Sequence, residues 1–191
     1  MEVIQTEIPG VVIIEPKVLG DERGYFFESW SQKEFDEKVR PIKFVQDNES
    51  KSCYGVLRGL HFQKGEHAQS KLVRVVKGRV LDVAVDIRKG SPTFSKYVAV
   101  ELTEDNHRQF FIPRGFAHGF VVLSEEAIFQ YKCDNLYAPQ SEGALAWDDP
   151  DIGIVWGVPA DKVILSAKDK LHPRLKDAAE LFDYNIDYYS E

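Results

Sequence analysis

The sequence predicts an all-β domain of the barrel or sandwich type. Short runs rich in Val, Ile, Phe and Tyr recur between turn signals, which is typical of these folds and not of alternating strands and helices. They include VVIIEPKVL, GVLRGLHFQ, KLVRVV, RVLDVAVDI, KYVAVEL and AIFQYKC. A hydrophobic content of 43% over 191 residues is enough for one sizeable core, so we interpret residues 1–191 as a single domain.

Strict alternation in RVLDVAVDI indicates which of its side chains face the core. Four apolar residues share one face of the predicted strand, and the other face carries two carboxylates. The two sets are Leu81, Val83, Val85 and Ile87, and Asp82, Ala84 and Asp86. We expect the apolar set to be buried and the second set to be wetter.

Two short peripheral helices are predicted. SQKEFDEKV, residues 31–39, opens with Ser31 and has Glu34 three positions later, the spacing of a capping box. LKDAAELF, residues 175–182, has apolar residues at helical spacing. Both segments lie outside the strand-rich part of the chain, so we expect the barrel to carry the function.

Composition excludes several classes of function. The formal charge of -7 leaves no broad basic face for a nucleic acid or an anionic membrane. No apolar run approaches the roughly 20 residues needed to span a bilayer. An anionic ligand would therefore need a few cations gathered in one pocket. Cys53 and Cys133 form no CxxC pair and no signal peptide is visible, so we expect a cytoplasmic protein.

His61 is the first candidate for a functional residue. It lies in VLRGLHFQ, where a titratable ring interrupts apolar and small residues, although a single strand histidine is more often structural. Arg58 lies three positions earlier, and strict alternation would put the two side chains on opposite faces. A β-bulge at Gly59 would instead bring both into one pocket, and the structure decides between the two arrangements.

A second histidine lies in PRGFAHGF, residues 113–120, which has the PxGxxH spacing of the second motif of cupins. Cupins are small barrels that often bind a metal, and their first motif normally supplies HxH. The corresponding region here reads HFQ, with Gln63 two positions after His61. A triad of nitrogen and oxygen ligands cannot then be assembled from the expected places, and His118 alone is a poor site. We expect no metal, with His67 as a conceivable substitute ligand.

The FVQDNES segment brings two amide side chains together. Gln46 and Asn48 share one face of a short strand, whereas Asp47 points the other way. A solvated strand end explains such residues equally well, because Asn and Asp near a turn need no function. The segment is therefore uninformative when it is taken alone.

Three further residues need context. Tyr131 shares a face with the apolar residues of AIFQYKC, so we expect its hydroxyl to point inward. Lys71 lies on an apolar stripe and is either an edge residue that reaches water or a placed cation. Asp169, in LSAKDKLHP, is by default a turn residue or a helix cap.

Taken together, these motifs resemble the dTDP-4-dehydrorhamnose 3,5-epimerase family. The resemblance covers nearly the whole chain in order, and its two longest segments, DVAVDIRKGSPTF and PRGFAHGF, are specific. The other segments are QDN, RGLHFQ, KLVRVVKG, YKCDNLYAP and LSAKD. The resemblance implies a cupin-type jelly-roll barrel that works as a homodimer without metal or organic cofactor.

The resemblance also implies an activity: inversion of C3 and C5 of dTDP-4-dehydro-6-deoxy-D-glucose, which gives dTDP-4-dehydro-L-rhamnose on the route to dTDP-L-rhamnose. By motif, His61 corresponds to the proton acceptor and Asp169 to its carboxylate partner. Tyr131 corresponds to the proton donor on the opposite face of the sugar. Lys71 is the candidate that stabilises the developing oxyanion.

Further positions are implied to bind the nucleotide sugar. Arg23 and Arg58 can form bidentate bonds to diphosphate oxygens, and Phe26 and Tyr137 are candidates for stacking on thymine. His118 is expected near Lys71. The full set of substrate-binding candidates is Arg23, Phe26, Glu28, Gln46, Asp47, Asn48, Arg58, His118, Tyr137, Glu142 and Lys168.

Other readings stay open. A histidine commonly follows QDN in the family, and this chain has Glu49 there, so a relative that inverts only C3 or only C5 remains an alternative. A 4-keto-sugar ketoisomerase and a non-catalytic cupin that binds a sugar are further ones. A binding protein has no need for base, carboxylate and phenol together, so the set of His61, Asp169 and Tyr131 favours an enzyme.

Overall fold

The computed structural model describes residues 1–190, which form a mainly antiparallel β-structure with one short α-helix. In that range the α-helix is α1, Gln32–Lys38. The strands in chain order are β1 Glu2–Gln5, β2 Val12–Glu15, β3 Leu19–Asp21, β4 Gly24–Phe26, β5 Gln46–Cys53, β6 Leu57–Gln63, β7 Lys71–Lys77, β8 Arg79–Asp86, β9 Arg88–Lys89, β10 Tyr97–Thr103, β11 Gln109–Ile112, β12 Phe116–Val122, β13 Glu126–Cys133, β14 Glu142–Ala144 and β15 Phe182–Asp183.

Two large sheets enclose the core. The first sheet has six strands in the order β1-β2-β11-β7-β13-β5, and the second has five in the order β10-β8-β12-β6-β14. Buried side chains from both sheets meet between them, among them Val73 and Phe129 from the first sheet and Val80 and Phe120 from the second. The predicted all-β fold is confirmed.

Strand β8 is buried on both faces, which corrects the expectation of a wetter side. Asp82, Ala84 and Asp86 are all 0% exposed, and Ala84 belongs to the core between the sheets. Val83 and Val85 lie on the outer face of the second sheet, under a layer formed by the C-terminal part of the chain. Alternation identified the two faces correctly, but a carboxylate can be buried when other side chains provide it with hydrogen bonds or an opposite charge.

The first predicted helix is confirmed as α1. The Ser31 side chain accepts a hydrogen bond from the Glu34 backbone N–H, which caps the first turn. Phe35 is completely buried and packs edge-on against Phe111 on the outer face of the first sheet. No helix in residues 1–190 has the length and apolar character needed to cross a membrane.

The second predicted helix is wrong. In residues 175–182 the chain forms a single 3₁₀ turn, Leu175–Asp177, and later the short strand β15. A short helix depends on packing of a continuous apolar face, and Ala179 is exposed here. Leu175 and Phe182 are buried separately instead, and Phe182 pairs with Arg88 of β9.

A bulge at Gly59 is confirmed. His118 of β12 lies opposite His61 and Phe120 lies opposite Arg58, so β6 has one more residue than β12 between these pairs. Gly59 has φ of +141°, and a Cβ on it would lie 2.6 Å from the Gly119 Cα. The close approach of the two strands therefore requires glycine at this position.

We expect Gly59→Ala to lower the free energy of unfolding by more than about 3 kcal/mol, because a Cβ meets backbone atoms that cannot yield. Gly65→Ala is the matched control, since Gly65 has φ of +60° and no atom near its Cβ position. The control should cost only about 1 to 2 kcal/mol, the strain of a left-handed residue. Urea unfolding measures both, and equal losses would contradict the steric argument.

Candidate active site

One cavity of about 270 Å³ brings together residues from both sheets and from the C-terminal layer. Its lining includes eight of the residues predicted from sequence: Arg58, His61, Lys71, His118, Tyr131, Glu142, Lys168 and Asp169. An adjoining cavity of about 120 Å³ shares His61, Lys71, Tyr131 and Glu142 and adds Gln46, Asn48 and Tyr137. The bulge at Gly59 explains why Arg58 and His61 face the same space.

The pair formed by His61 and Asp169 lies in this cavity. His61 Nε2 and Asp169 Oδ1 are 2.7 Å apart, with the carboxylate almost fully buried and the imidazole side chain 40% exposed. Asp169 begins a 3₁₀ turn, and its backbone N–H donates to Ser166 Oγ, which holds the turn. A carboxylate only accepts, so Nε2 carries the proton of the neutral ring and Nδ1 has the free lone pair.

Burial lowers the pKa of His61, and the hydrogen bond and negative charge of Asp169 act in the opposite direction. The net direction is downward, so the ring is largely neutral at neutral pH. A neutral imidazole paired with a buried carboxylate can accept a proton, and the carboxylate then stabilises the imidazolium.

Tyr131 and Lys71 approach the same space from the first sheet. Tyr131 lies on β13 between Val73 of β7 and Asn48 of β5, and its face also carries the buried Phe129, as predicted. Burial raises the pKa of Tyr131, so its phenol remains protonated at neutral pH and can donate a proton.

Lys71 is a cation placed in the cavity and not an edge residue. Its Nζ lies 5.9 Å from the centre of the Tyr131 ring. Burial lowers the pKa of Lys71, whereas the nearby acidic groups of Cys133, Asp82 and Glu142 act to raise it. A desolvated ammonium group of this kind exerts a strong local field on any charge that develops nearby.

Asp82 is a site residue that the sequence reasoning missed. His118 Nε2 lies 2.9 and 3.0 Å from the two Asp82 carboxylate oxygens, and both side chains are buried. Burial raises the pKa of Asp82, and the charge and hydrogen bond of His118 counteract it. The alternation in β8 already placed Asp82 on the face opposite to the outward-facing valines. That face was expected to be exposed to solvent, so Asp82 was not considered for the site.

The rim of the cavity carries two cationic side chains, Arg58 and Lys168, each of which has a polar partner. Arg58 Nε donates to Ser52 Oγ over 3.1 Å. Lys168 forms an ion pair with Glu142, which also accepts a hydrogen bond from the Tyr137 hydroxyl at 3.2 Å. These side chains are the cations that an anionic ligand requires on a chain of net negative charge.

The QDN segment divides between two sides of β5. Gln46 Nε2 donates to Asn48 Oδ1 over 3.1 Å, and both side chains face the smaller cavity. Asp47 lies on the other face, where it forms an ion pair with Lys132 at 3.0 Å. The structure therefore does not bring Asp47 to His61, since alternation along β5 turns it away.

Three predicted binding residues lie far from His61 in the same chain. Arg23 and Phe26 belong to the exposed hairpin β3–β4, with the Arg23 side chain 84% exposed and paired with Asp21. Phe26 and Glu28 line a separate cavity of about 280 Å³ near Trp30. One protomer alone does not assemble these residues with the base.

His172 is a further neighbour of the site that the sequence reasoning missed. It follows Asp169 by three residues, and its Nε2 lies 3.6 Å from Asp169 Oδ1. Its ring stands edge-on to the His61 ring, with 5.4 Å between the centres. The signal that could have found it was a histidine three residues after a candidate carboxylate in KDKLHP, a spacing that a single turn brings close together.

Comparisons with known proteins agree with this geometry. A family model described as dTDP-4-dehydrorhamnose 3,5-epimerase matches residues 5–177. The dTDP-4-dehydrorhamnose 3,5-epimerase of Salmonella typhimurium is 59% identical over 179 residues, which are 93% of this chain and 97% of that protein. An alignment of this identity and coverage extends over nearly the whole chain and is not limited to a local motif.

Solved structures extend the similarity to the fold. The dTDP-6-deoxy-D-glucose-3,5-epimerase of Legionella pneumophila, solved in complex with dTDP-4-keto-L-rhamnose, is 48% identical with a TM-score of 0.93 and covers 97% of this chain and 99% of its own. A 3'-monoepimerase from Streptomyces bikiniensis in complex with dTDP-quinovose is 31% identical with a TM-score of 0.84, covering 91% of this chain and 87% of its own. The barrel is of the cupin-type jelly-roll class, and the chain belongs to the dTDP-4-dehydrorhamnose 3,5-epimerase family.

Proposed function

We propose that residues 1–191 act as one isomerase domain that inverts C3 and C5 of dTDP-4-dehydro-6-deoxy-D-glucose and so produces dTDP-4-dehydro-L-rhamnose for dTDP-L-rhamnose biosynthesis. The observation that carries this proposal is the His61–Asp169 pair, which shares one cavity with Tyr131 and Lys71 in a member of this family. Higher identity to the 3,5-epimerases than to the 3'-monoepimerase favours inversion at both centres.

His61 is the proposed base. The hydrogens on C3 and C5 flank the C4 ketone, so removal of either one produces an enolate whose charge is shared with the C4 oxygen. Asp169 holds the ring in one tautomer and stabilises the imidazolium that forms, over the 2.7 Å contact. A positioned base of this kind contributes a factor of about 10² to 10⁴ in rate.

Tyr131 and Lys71 are proposed to complete the inversion. The developing charge on the C4 oxygen needs a preorganised partner, and a single donor in such a position is worth roughly 3 to 4 kcal/mol. The Lys71 ammonium lies in the same cavity and supplies it. Tyr131, whose pKa is raised by burial, then delivers a proton to the opposite face of the sugar.

The rim of the cavity suits the diphosphate. Arg58 and Lys168 lie beside the base and offer charge-assisted hydrogen bonds to phosphate oxygens. The cavity of about 270 Å³ is smaller than the roughly 300 to 1,000 Å³ of typical ligand pockets, so it suits the sugar and leaves the nucleotide at the rim. Tyr137 is 58% exposed at this rim and is the proposed stacking partner for thymine.

A homodimer would bring the remaining binding residues to the site. The β3–β4 hairpin is exposed on a single protomer, with Leu19 at 55%, Tyr25 at 64% and Phe26 at 69%. Adjacent exposed apolar side chains mark an interaction surface. We assign this hairpin to the partner's cavity, where Arg23 and Glu28 would contact the nucleotide.

A reducing cytoplasm suits the free thiols of Cys53 and Cys133 and is the proposed location of the protein.

Chelator-treated protein in D₂O with dTDP-4-dehydro-6-deoxy-D-glucose should incorporate deuterium at both C3 and C5, as followed by NMR, with formation of the L-rhamno product. The reason is that each inversion replaces a carbon-bound hydrogen with one from solvent. Deuterium at one centre only would identify a mono-epimerase. Deuterium at neither centre would refute the proposed epimerase activity.

The Tyr131→Phe variant separates the two proton transfers in the same experiment. Proton abstraction by His61 remains possible, so we expect deuterium to enter with retained configuration while product formation falls by roughly 10²- to 10⁴-fold. Tyr54→Phe, at an exposed tyrosine outside the cavity, is the matched control. Full inversion by Tyr131→Phe would remove Tyr131 from the donor role.

The pH profile tests the pairing of His61 with Asp169. The base must be neutral, so kcat/KM falls as the pH drops through the pKa of His61, which burial holds below its ordinary value of about 6.5. The Asp169 carboxylate raises this pKa. Asp169→Asn should therefore move the acid limb to lower pH and reduce the plateau by roughly 10²- to 10⁴-fold.

Asp177→Asn is the control for this profile, because Asp177 is an exposed carboxylate of the same C-terminal segment that does not line the cavity. Its acid limb should coincide with that of the unmodified chain. An acid limb that stays in place or moves to higher pH in Asp169→Asn would show that Asp169 does not stabilise the imidazolium.

Heterodimers test whether the hairpin acts on the partner's site. His61→Ala lacks the base, and Arg23→Ala should lose roughly 10- to 100-fold in kcat/KM because a charge-assisted contact is missing. A heterodimer of the two variants has one site with both residues intact, so purified heterodimers should regain about half of the wild-type activity. If Arg23 acts within its own chain, no site is intact, and activity no greater than that of Arg23→Ala alone would refute the exchange.

A further inference from the structure

His172 has two buried ring nitrogens with no hydrogen-bond partner in residues 1–190. Its side chain is only 7% exposed, so both nitrogens are shielded from bulk solvent. A buried polar group without a partner carries a free-energy cost and calls for an explanation. Its Nε2 points to Asp169 Oδ1 at 3.6 Å, beyond hydrogen-bond distance but towards the pair formed with His61.

These three side chains offer a set of metal ligands. One ligand atom from each of His61, Asp169 and His172 lies within 4.8 Å of the other two. The contacts to Asp169 Oδ1 are 2.7 Å from His61 Nε2 and 3.6 Å from His172 Nε2. Tetrahedral Zn²⁺ with bonds of about 2.0 to 2.1 Å places its ligands about 3.3 Å apart, so small side-chain shifts satisfy the geometry.

We propose that His61, Asp169 and His172 form a binding site for Zn²⁺ or a similar borderline divalent cation, and that occupation of this site inhibits the enzyme. Two imidazoles and one carboxylate are a donor set that Zn²⁺ favours. Strand β6 supplies His61, the 3₁₀ turn Asp169–Leu171 supplies Asp169, and His172 directly follows that turn. His61 and Asp169 line the cavity, so water or substrate can reach the bound cation from that side.

Binding changes the tautomer of His61. The proton of the neutral ring moves from Nε2 to Nδ1, which leaves a lone pair on Nε2 for Zn²⁺. The cation then lies between His61 Nε2 and Asp169 Oδ1, and His172 Nε2 adds a third bond. The water molecules that coordinate Zn²⁺ in solution leave as the three protein ligands bind. His61 can then no longer act as a base with a carboxylate partner. The cation lies between the two side chains, where Asp169 would otherwise stabilise the imidazolium.

The inhibitory part of this inference rests on the proposed role of His61, whereas the binding part does not. Zinc binding is therefore measured first, without turnover, by competition with a chromophoric chelator. The full-length chain should bind one Zn²⁺ per protomer. His172→Gln should bind more than about 100-fold more weakly, since loss of an outer hydrogen-bond partner alone typically costs 10- to 100-fold.

Two control variants exclude other ligands. Cys53→Ser removes the exposed thiol, and His67→Gln removes a histidine that lies 3.7 Å from Glu66. Both should keep the affinity of the unmodified chain. Co²⁺ in place of Zn²⁺ should give a spectrum without a thiolate charge-transfer band. Unchanged affinity in His172→Gln, or loss of binding in Cys53→Ser, would overturn the site.

Crystals soaked in Zn²⁺ make the test independent of how His172→Gln folds. Anomalous scattering should place the ion within about 2.2 Å of all three ligand atoms. An ion elsewhere would refute the site. In the activity assay, Zn²⁺ should inhibit the unmodified chain, and the ratio of activity with and without Zn²⁺ should approach one in His172→Gln at the same concentration. Binding at the three residues without inhibition would refute His61 as the base and leave the metal site standing.

Discussion

The hydrogen bond between His61 and Asp169 connects the two features that build the candidate site, which are the Gly59 bulge and the C-terminal layer. It joins residues 108 positions apart and links strand β6 to a turn in the C-terminal part of the chain. His61 reaches the cavity because the Gly59 bulge shifts the register of β6 against β12. Asp169 reaches it because the C-terminal part of the chain packs on the outer face of the second sheet, where Leu145 and Trp156 are buried. The covering layer therefore helps to build the candidate active site.

The cavity creates its own electrostatic environment on a chain with a formal charge of -7. Removal from water acts in opposite directions on its groups, because desolvation always disfavours the charged form. It lowers the pKa of Lys71 and of His61 and raises the pKa of Tyr131. A neutral imidazole and a protonated phenol can then coexist at neutral pH, and the carboxylates of Asp82 and Glu142 oppose the loss of charge from Lys71. The buried Asp82 supplies negative charge near Lys71 and pairs with His118.

A single protomer separates the predicted binding residues into two groups. Arg58 and Lys168 lie beside His61, whereas Arg23 and Phe26 extend on an exposed hairpin. In the proposed homodimer, a site distributed in this way would couple assembly to substrate binding, because neither protomer would enclose the nucleotide alone. The same arrangement would let a cavity of about 270 Å³ serve a ligand larger than a sugar.

The sequence by itself determined the all-β class, helix α1, the bulge and the family, because each depends on local chemistry that can be read along the chain. Alternation predicts strands, Ser31 caps a turn, and Gly59 permits a conformation that other residues avoid. Only the tertiary structure decided that Asp82 is buried, that residues 175–182 are not a helix and that His172 lies beside Asp169. These outcomes depend on which surfaces cover one another. Local periodicity reports the two faces of a strand, but it does not say what packs on each.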